Sequence, residues 1–226
     1  MAVPTLLLRP EGSRDRHGAM VPTVASGVTV VAGQYGQAWT GFVSAGRAVS
    51  FPRAKYLASD NDGPFTILVR CRSAATSPGE AQAMISDTSV MTLRRGSSRL
   101  LEGVSPLLVT TTYTVADNTW GAYAYRCNGN NGGIDLFADG AMVSTPGTGG
   151  VRSSASTVTV GGLSSSQPWL GDTESVLIFG DVALPDAEIS RISTMPVAWT
   201  WANVQQQPGG ILPVGQPGPM GILQVG

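Results

Sequence analysis

The most constraining feature of this 226-residue chain is a nearly continuous succession of short apolar runs, each closed by a turn. Between residues 27 and 192, about ten runs rich in Val, Ile, Thr and aromatic residues recur at intervals of roughly 10–15 residues. Helices favour Glu, Lys, Ala and Leu, yet only 13% of the residues are charged. The pattern therefore predicts an all-β chain that forms an antiparallel sandwich or barrel.

Local patterns within this region predict individual elements. Asp139-Gly140 stands between two apolar runs and predicts a two-residue hairpin. A single helix is expected over 184–192, where Pro185 occupies the first turn. The run 65–72 alternates, with Phe65, Ile67, Val69 and Cys71 on one face and Thr66, Leu68, Arg70 and Arg72 on the other.

The two ends of the chain have a different composition. Residues 1–26 contain an apolar Leu triplet among prolines and polar residues, which predicts an extended N-terminal arm. Residues 193–226 contain two Trp residues and then two copies of the motif Gly-Ile-Leu-x-Val-Gly. These copies are too short to form a hydrophobic core by themselves, so we expect an arm docked on another surface. The alternative is a flexible tail. The division is thus 1–26 arm, 27–192 sandwich and 193–226 arm. The expected partner-binding residues are Leu6, Leu7, Leu8, Trp199, Trp201, Ile211, Leu212, Val214, Ile222, Leu223 and Val225.

Six short motifs in the middle of the chain occur in the order of one known family. They are Gly46–Phe51, Asp62–Arg70, Asn118–Trp120, Gly133–Gly140, Val158–Gly162 and Trp169–Phe179. Together they resemble the laminin-G-like, concanavalin A-like lectin and glucanase sandwich of the bacterial and phage type over roughly residues 28–192. The family's His after the Trp is replaced here by Ala122. The resemblance implies a jelly-roll β-sandwich, a fold used for sugar binding, for protein binding and as plain architecture.

Sets of catalytic residues are scarce in this chain. His17 is the only histidine and lies in the predicted N-terminal arm, so neither a His-dependent nucleophile nor a His/Cys zinc site is expected. Glycosidases of this fold carry Glu-x-Asp-x-x-Glu on one strand, and that motif does not occur. Asp172 and Glu174 would share one strand face, but they fit a structural position of the family better. We therefore expect no enzyme.

Metal binding and disulfide formation are not favoured either. Asp60-Asn-Asp-Gly63 is similar to part of a calcium loop, but Cys71 stands where the bidentate Glu belongs. A polar turn explains this segment better, so no cofactor is expected, although a loop calcium is the alternative. Cys71 and Cys127 are expected to be reduced and buried, with a disulfide as the less favoured alternative.

Nucleic acid and membrane partners are not expected. Arg94, Arg95 and Arg99 predict a small basic surface or interface patch, too small to bind nucleic acid in a chain of net charge −1. No segment reaches the roughly 18 apolar residues of a membrane span, and the first residues lack the basic region of a signal peptide. We expect a chain made in a bacterial cytoplasm.

These observations lead to one expected function and one alternative. The expected function is a non-enzymatic structural component of a bacteriophage virion, a capsid decoration or cement protein that binds copies of itself and a major capsid or tail protein through its arms. The alternative is a carbohydrate-binding adhesin or tail-fibre component on a virion surface. Trp120, Tyr123 and Tyr125 are the candidate sugar-stacking residues, although their strand spacing fits the core and rim of a sandwich better.

Overall fold

The computed structural model describes residues 2–43, 46–57, 63–74, 81–87, 91–105, 107–129, 133–144, 157–163 and 167–205. The expected contact residues Ile211, Leu212, Val214, Ile222, Leu223 and Val225 lie outside the described residues, as does most of the calcium-like segment 60–63. The strands are β1 (Leu6–Leu8), β2 (Arg14–Asp15), β3 (Gly18–Ala19), β4 (Thr23–Val24), β5 (Thr29–Ala32), β6 (Gln37–Thr40), β7 (Val49–Pro52), β8 (Phe65–Ser73), β9 (Gln82–Ser86), β10 (Thr92–Arg95), β11 (Leu100–Ser105), β12 (Leu107–Thr114), β13 (Trp120–Cys127), β14 (Ile134–Ala138), β15 (Ala141–Met142), β16 (Thr157–Val160), β17 (Gly162–Leu163), β18 (Gln167–Pro168) and β19 (Gly171–Phe179). The helices are α1 (Arg53–Tyr56), α2 (Asp186–Ser193) and α3 (Trp201–Gln205).

Two antiparallel sheets form the body of the molecule. The first has ten strands, eight of them in the order β15-β14-β13-β8-β19-β1-β2-β3, while β6 pairs with β19 and β5 with β6. The second has seven strands in the order β12-β11-β10-β9-β16-β7-β4, and β17 and β18 form a separate ribbon. The expected all-β antiparallel sandwich is confirmed.

The main hydrophobic core lies between the two sheets. The predicted alternation of 65–72 is confirmed, because Phe65, Ile67, Val69 and Cys71 all belong to this core while Leu68 lies on the outer face of the ten-stranded sheet. Phe65 also stacks on Tyr125 of the neighbouring strand β13, with ring centroids 5.8 Å apart. Alternate side chains of β8 thus point into the core between the sheets and onto the outer face of the ten-stranded sheet.

The N-terminal segment is part of both sheets rather than an arm: β1, β2 and β3 belong to the ten-stranded sheet and β4 to the seven-stranded one. Strand β1 pairs with β19, with Leu6 opposite Ile178 and Leu8 opposite Val176, and β2 pairs on its other side. Leu6 and Leu8 are fully buried between the sheets, and Leu7 is buried on the outer face. The expected arm over 1–26 is corrected here, because these three side chains are covered by their own chain.

The segment after β19 covers the outer face of the ten-stranded sheet. Helix α2 confirms the predicted helix at 184–192, and its Ile189 and Ile192 pack with Trp199 over Leu68 and Leu177. The Trp199 side chain is fully buried and its Nε1 donates a hydrogen bond to the Ile192 carbonyl, 2.9 Å away. Trp199 therefore belongs to the core of the domain and is not accessible to a partner.

The cysteine and hairpin predictions are confirmed. Cys71 and Cys127 are buried free thiols on the neighbouring strands β8 and β13. Cys71 lies opposite Gly121, six positions along β13 from Cys127, which corresponds to about 20 Å. Asp139 and Gly140 join β14 to β15 with φ angles of 47° and 86°, as a two-residue hairpin with both central residues in the left-handed region requires.

The three arginines of the predicted basic patch form ion pairs within the chain, which corrects that prediction. Arg95 is fully buried and donates to Ser73 Oγ and to Asp117 Oδ1. Arg99 also binds Asp117, while Arg94 binds Glu102 in the adjacent strand β11. Since each guanidinium has a carboxylate partner within the chain, these residues do not form a free cationic surface.

None of the helices in the described residues has the length and apolar composition that crossing a membrane requires.

Candidate functional site

The outer face of the ten-stranded sheet changes from apolar to polar along its strands. Residues directly opposite each other in antiparallel strands project from the same face and contact each other. Three successive rows across β13, β8 and β19 are Ala124-Leu68-Leu177, Ala122-Arg70-Ser175 and Trp120-Arg72-Asp172. The apolar row lies under α2 and Trp199, whereas Trp120 and Arg72 in the last row are only partly buried. The candidate site is this polar end of the face.

A depression of about 570 Å³ lies at this end of the sandwich. Fully buried Phe42 and Trp169 form part of its apolar wall, while Arg72, Asp172 and Asn118 contribute polar groups. Cavities of roughly 300–1,000 Å³ with an apolar lining and a few polar groups are typical ligand sites. This depression has that size and character.

Arg72 and Asp172 form an ion pair at the edge of the depression. Arg72 Nε lies 3.0 Å from Asp172 Oδ2, and the Arg72 side chain is 40% exposed. The Arg72 guanidinium carbon also lies 5.3 Å from the centroid of the Trp120 ring. The Asp172 side chain is only 12% exposed, so the pair lies at the rim of the surface and not fully in solvent. Its main effect is to hold a guanidinium, a carboxylate and an aromatic ring side by side at the surface.

A smaller cavity of about 190 Å³ is lined by Trp120, which does not line the larger depression. Its lining includes Tyr35, Arg70, Trp120, Asp139 and Ser193. The two cavities are adjacent, because Trp120 lines the smaller one and its neighbour Arg72 lines the larger.

Arg70 is the most buried charged group of the smaller cavity. Its guanidinium carbon lies 4.7 Å from the Tyr35 ring centroid and 4.4 Å from that of Trp199. Its terminal nitrogens donate to the carbonyls of Met195, at 3.1 Å, and Val197, at 2.8 Å. Burial lowers the pKa of Arg70, and the nearby Glu174 opposes that shift.

Glu174 is fully buried next to Arg70 and holds the turn of the β5–β6 hairpin. The register of β19 shifts between Thr173 and Ser175, so Glu174 is the extra residue of a bulge. Its carboxylate accepts hydrogen bonds from the backbone N–H groups of Gln34, at 3.2 Å, and Tyr35, at 3.1 Å. Burial raises the pKa of Glu174, although the Arg70 charge and these two N–H donors oppose the shift. The structural role expected for Asp172 and Glu174 fits these contacts, but the bulge separates the two side chains.

The described residues that the sequence predicted to bind a partner do not come together at the candidate site. Leu6, Leu7, Leu8 and Trp199 are buried in their own chain, and Trp201 is half-buried with the Arg14 guanidinium carbon 5.3 Å from its ring centroid. None of these five residues lines either cavity.

The three aromatic residues considered for sugar stacking do not form one platform. Tyr123 and Tyr125 point into the core between the sheets, while Trp120 alone lies on the outer face. This confirms the core-and-rim interpretation of the motif. Among the described residues, no group of three or more His, Cys, Asp and Glu side chains is placed to hold a metal ion.

Sequence reasoning missed Arg70, Arg72, Tyr35 and Ser193 as site residues. Arg70 and Arg72 carried a usable signal, because two cations on the second face of an otherwise apolar strand need partners at that face. Tyr35 and Ser193 carried none, since a turn residue and the last residue of a helix join this site only through the tertiary fold.

No protein-family model and no curated protein matches this chain. Among solved structures, it is similar to domain 4 of AbnA, an extracellular GH43 arabinanase from Geobacillus stearothermophilus in complex with arabinotriose, with a TM-score of 0.61 and 14% identity over 85% of this chain and 98% of that domain. The binding domain of Paraclostridial Mosquitocidal Protein 1 gives 0.63 and 13% identity over 84% and 51% of the two chains. Trypanosoma rangeli sialidase gives 0.63 and 12% identity, and this chain spans 33% of that enzyme. These likenesses show the fold, a concanavalin-like β-sandwich.

Proposed function

We propose that this chain is a carbohydrate-binding domain that holds an oligosaccharide in the larger depression, beside Trp120, Arg72 and Asp172. The observation that carries the proposal is the row of these three side chains at the open end of the outer face. Sugar rings present C–H groups that pack on aromatic faces, and their hydroxyls bond to guanidinium and carboxylate groups. Arg72 contacts both the Trp120 ring and the Asp172 carboxylate, so the row offers all three groups around one guanidinium.

The fold neighbours support this proposal. The arabinanase domain was solved with arabinotriose, and the mosquitocidal protein's domain is a binding domain. Both are sandwiches of the same kind as this chain, and the arabinanase domain corresponds to it over nearly its full length. Because the identities are low, the ligand of this chain is inferred from its own residues.

Binding without hydrolysis fits the carboxylates of the site best. A glycosidase needs two carboxyl groups flanking the scissile bond, one of them free to give up a proton. Asp172 is paired with Arg72, and Glu174 is fully buried with its oxygens bound to backbone N–H groups. These two acids are thus engaged in holding the structure of the site.

A glycan array probed with the full-length chain tests the proposed function. We expect retention of a set of oligosaccharides that Trp120→Ala reduces at least tenfold and Trp120→Phe reduces less. Trp201→Ala is the matched control, because Trp201 is also half-buried but lines neither cavity. Retention that is equal in Trp120→Ala and the parent chain, both with the parent's circular dichroism, contradicts the proposal.

We also propose that this chain is a component of a bacteriophage virion. It would be made in the host cytoplasm and would bind copies of itself and a capsid or tail protein. One observation favours an assembly contact of this kind. Strand β5 pairs with β6 alone among the described strands, and it exposes Val30 by 50% and Val31 by 37%. An exposed apolar edge strand is available to pair with another chain.

Light scattering across a concentration series tests the self-association part of this second proposal. We expect an oligomer that Val30→Lys and Val31→Lys together convert to a monomer. A parent chain that stays monomeric at every concentration contradicts self-association. Mass spectrometry of purified phage particles tests the virion location separately.

A further inference from the structure

We propose that the smaller cavity is a second binding site, built for a single uncharged sugar unit and selective against acidic sugars. This inference rests on the proposed function and names the class of sugar that the same face selects. It concerns the 190 Å³ cavity lined by Tyr35, Arg70, Trp120, Asp139 and Ser193. Three observations carry it: a buried hydroxyl without a partner among the described residues, the size and aromatic lining of the cavity, and the charge balance around it.

The buried hydroxyl belongs to Ser193, the last residue of α2. Ser193 lines the cavity and is 7% exposed, and its Oγ has no hydrogen-bond partner among the described residues. The Oγ has almost no accessible surface, so a ligand hydroxyl reaches it when the Ser193 side chain rotates toward the cavity, and the bond then satisfies a hydroxyl that is otherwise without a partner. Ser193 therefore offers a polar group that the fold itself does not use.

The size and aromatic lining of the cavity fit one sugar ring. Its volume of about 190 Å³ lies below the roughly 300 Å³ at which cavities for drug-sized ligands begin. Tyr35 and Trp120 both line it, which provides aromatic surface for the C–H groups of a ring. Since Trp120 also contacts Arg72 of the larger depression, a glycan bound there can place its terminal unit in the smaller cavity.

The charge balance of the face selects against an acidic sugar. Arg72 is paired with Asp172, and Arg70 is bound to two carbonyls with Glu174 close by. Asp139 lines the cavity and is exposed. Arg9, which also acts on Arg70 and Glu174, is paired with Glu11. Four carboxylates thus accompany three guanidinium groups, and an incoming carboxylate is repelled by the exposed Asp139.

The carboxylate of Asp139 is held in a fixed position. Its Oδ1 accepts from the Ala122 backbone N–H, at 2.9 Å, and its Oδ2 accepts from the Tyr113 hydroxyl, at 3.1 Å. An Asn at this position keeps an oxygen for the Ala122 N–H and tolerates the left-handed backbone at φ 47°. Asp139→Asn therefore removes the charge while retaining the hairpin.

The test measures affinities for two matched glycan pairs by titration calorimetry at low salt. The first pair is lactose and sialyllactose. The second pair is the neutral oligosaccharide that the array retains most strongly and its uronic acid derivative. We expect the neutral member of each bound pair to bind at least tenfold more tightly. Ser193→Ala should weaken it by about 3- to 10-fold, the loss of one hydrogen bond. Asp139→Asn should improve the acidic member several-fold while changing the neutral member less.

Ser175→Ala is the matched control for Ser193→Ala. Ser175 Oγ is likewise fully buried without a partner among the described residues, and Ser175 lies opposite Arg70, but it does not line the cavity. We expect unchanged affinity. If glycans bind in a Trp120-dependent way but the acidic members bind better, or Ser193→Ala has no effect, this inference alone is overturned. If no glycan binds at all, the proposed function falls and this inference with it.

Discussion

The guanidinium carbon of Arg70 lies 4.4 Å from the ring centroid of Trp199, and this contact joins the polar end of the main sheet to the segment after α2. The same guanidinium donates to the carbonyls of Met195 and Val197 in that segment. Arg70 thus lies on β8 at the boundary between the apolar part of the outer face, which α2 and Trp199 cover, and the candidate site. Arg72, two positions further along β8, lines the proposed binding site.

Arg70→Met should be strongly destabilising. It removes two hydrogen bonds and two cation–π contacts and leaves the buried Glu174 carboxylate without its nearby cation. Each carbonyl left without its charged donor costs about 1–3 kcal/mol, so the loss should reach several kcal/mol. Urea unfolding measures the loss. Arg72→Met is the comparison two positions along the same strand and should cost less, because the Arg72 side chain is 40% exposed and water can replace part of its contact with Asp172. Equal losses in the two variants contradict the description of Arg70.

The stability of the domain should depend on pH through Glu174. Burial raises the pKa of Glu174 above its ordinary value of 4.5. Its protonation thus contributes stability that is fully present below pH 4.5 and is lost as the pH rises through the folded-state pKa. Glu174→Gln lacks this contribution, so the free energy of unfolding of the parent should fall relative to the variant as the pH rises from below 4.5 to neutral. A difference that stays constant over that range refutes the prediction.

Cys71 and Cys127 should react with a thiol reagent only after unfolding. Both are fully buried and free, and burial raises the pKa of the Cys71 thiol, which disfavours the reactive thiolate. We expect two thiols per chain in denaturant without reductant, and reaction of the native protein only through opening of the sandwich. Rapid modification of either cysteine under native conditions disagrees with this placement.

Leu6→Ala should cost about 2–5 kcal/mol, the range for truncating a fully buried leucine. Leu6 lies between the sheets opposite Ile178, so the variant leaves a cavity in the main core. Val21→Ala is the control, because Val21 is exposed and should change the free energy of unfolding by less than about 0.5 kcal/mol. A Leu6→Ala chain as stable as the parent would mean that the N-terminal segment is an arm after all.

The fold was largely predictable where the pattern was local. The alternation of 65–72 and the Asp139-Gly140 hairpin are properties of adjacent residues, and the structure confirms both. Strand β1 was not predictable in this way, because three consecutive leucines carry no period and their partner in β19 lies at the other end of the chain. The sheet order that places β1 beside β19 is a non-local property of the fold.

The candidate site was predictable only in part for the same reason. Arg70 and Arg72 were assigned to one face of their strand, which is correct. Their partners Tyr35 and Asp172 come from distant segments, and whether they meet depends on which strands flank β8. A regular strand also could not reveal the bulge at Glu174, because a bulge is defined by the pairing of two strands.

The most direct test of the proposed carbohydrate site is an NMR titration of the tryptophan indole N–H resonances with the neutral oligosaccharide retained most strongly on the array. The chain has five tryptophans: Trp120 lines the smaller cavity and contacts Arg72 of the larger one, Trp169 lines the larger one, and Trp201 lines neither. We predict that the Trp120 and Trp169 indole resonances shift as the oligosaccharide saturates the protein, while that of Trp201 stays in place. Saturation that shifts Trp201 and leaves Trp120 unchanged would contradict the location of the site and the function proposed for it.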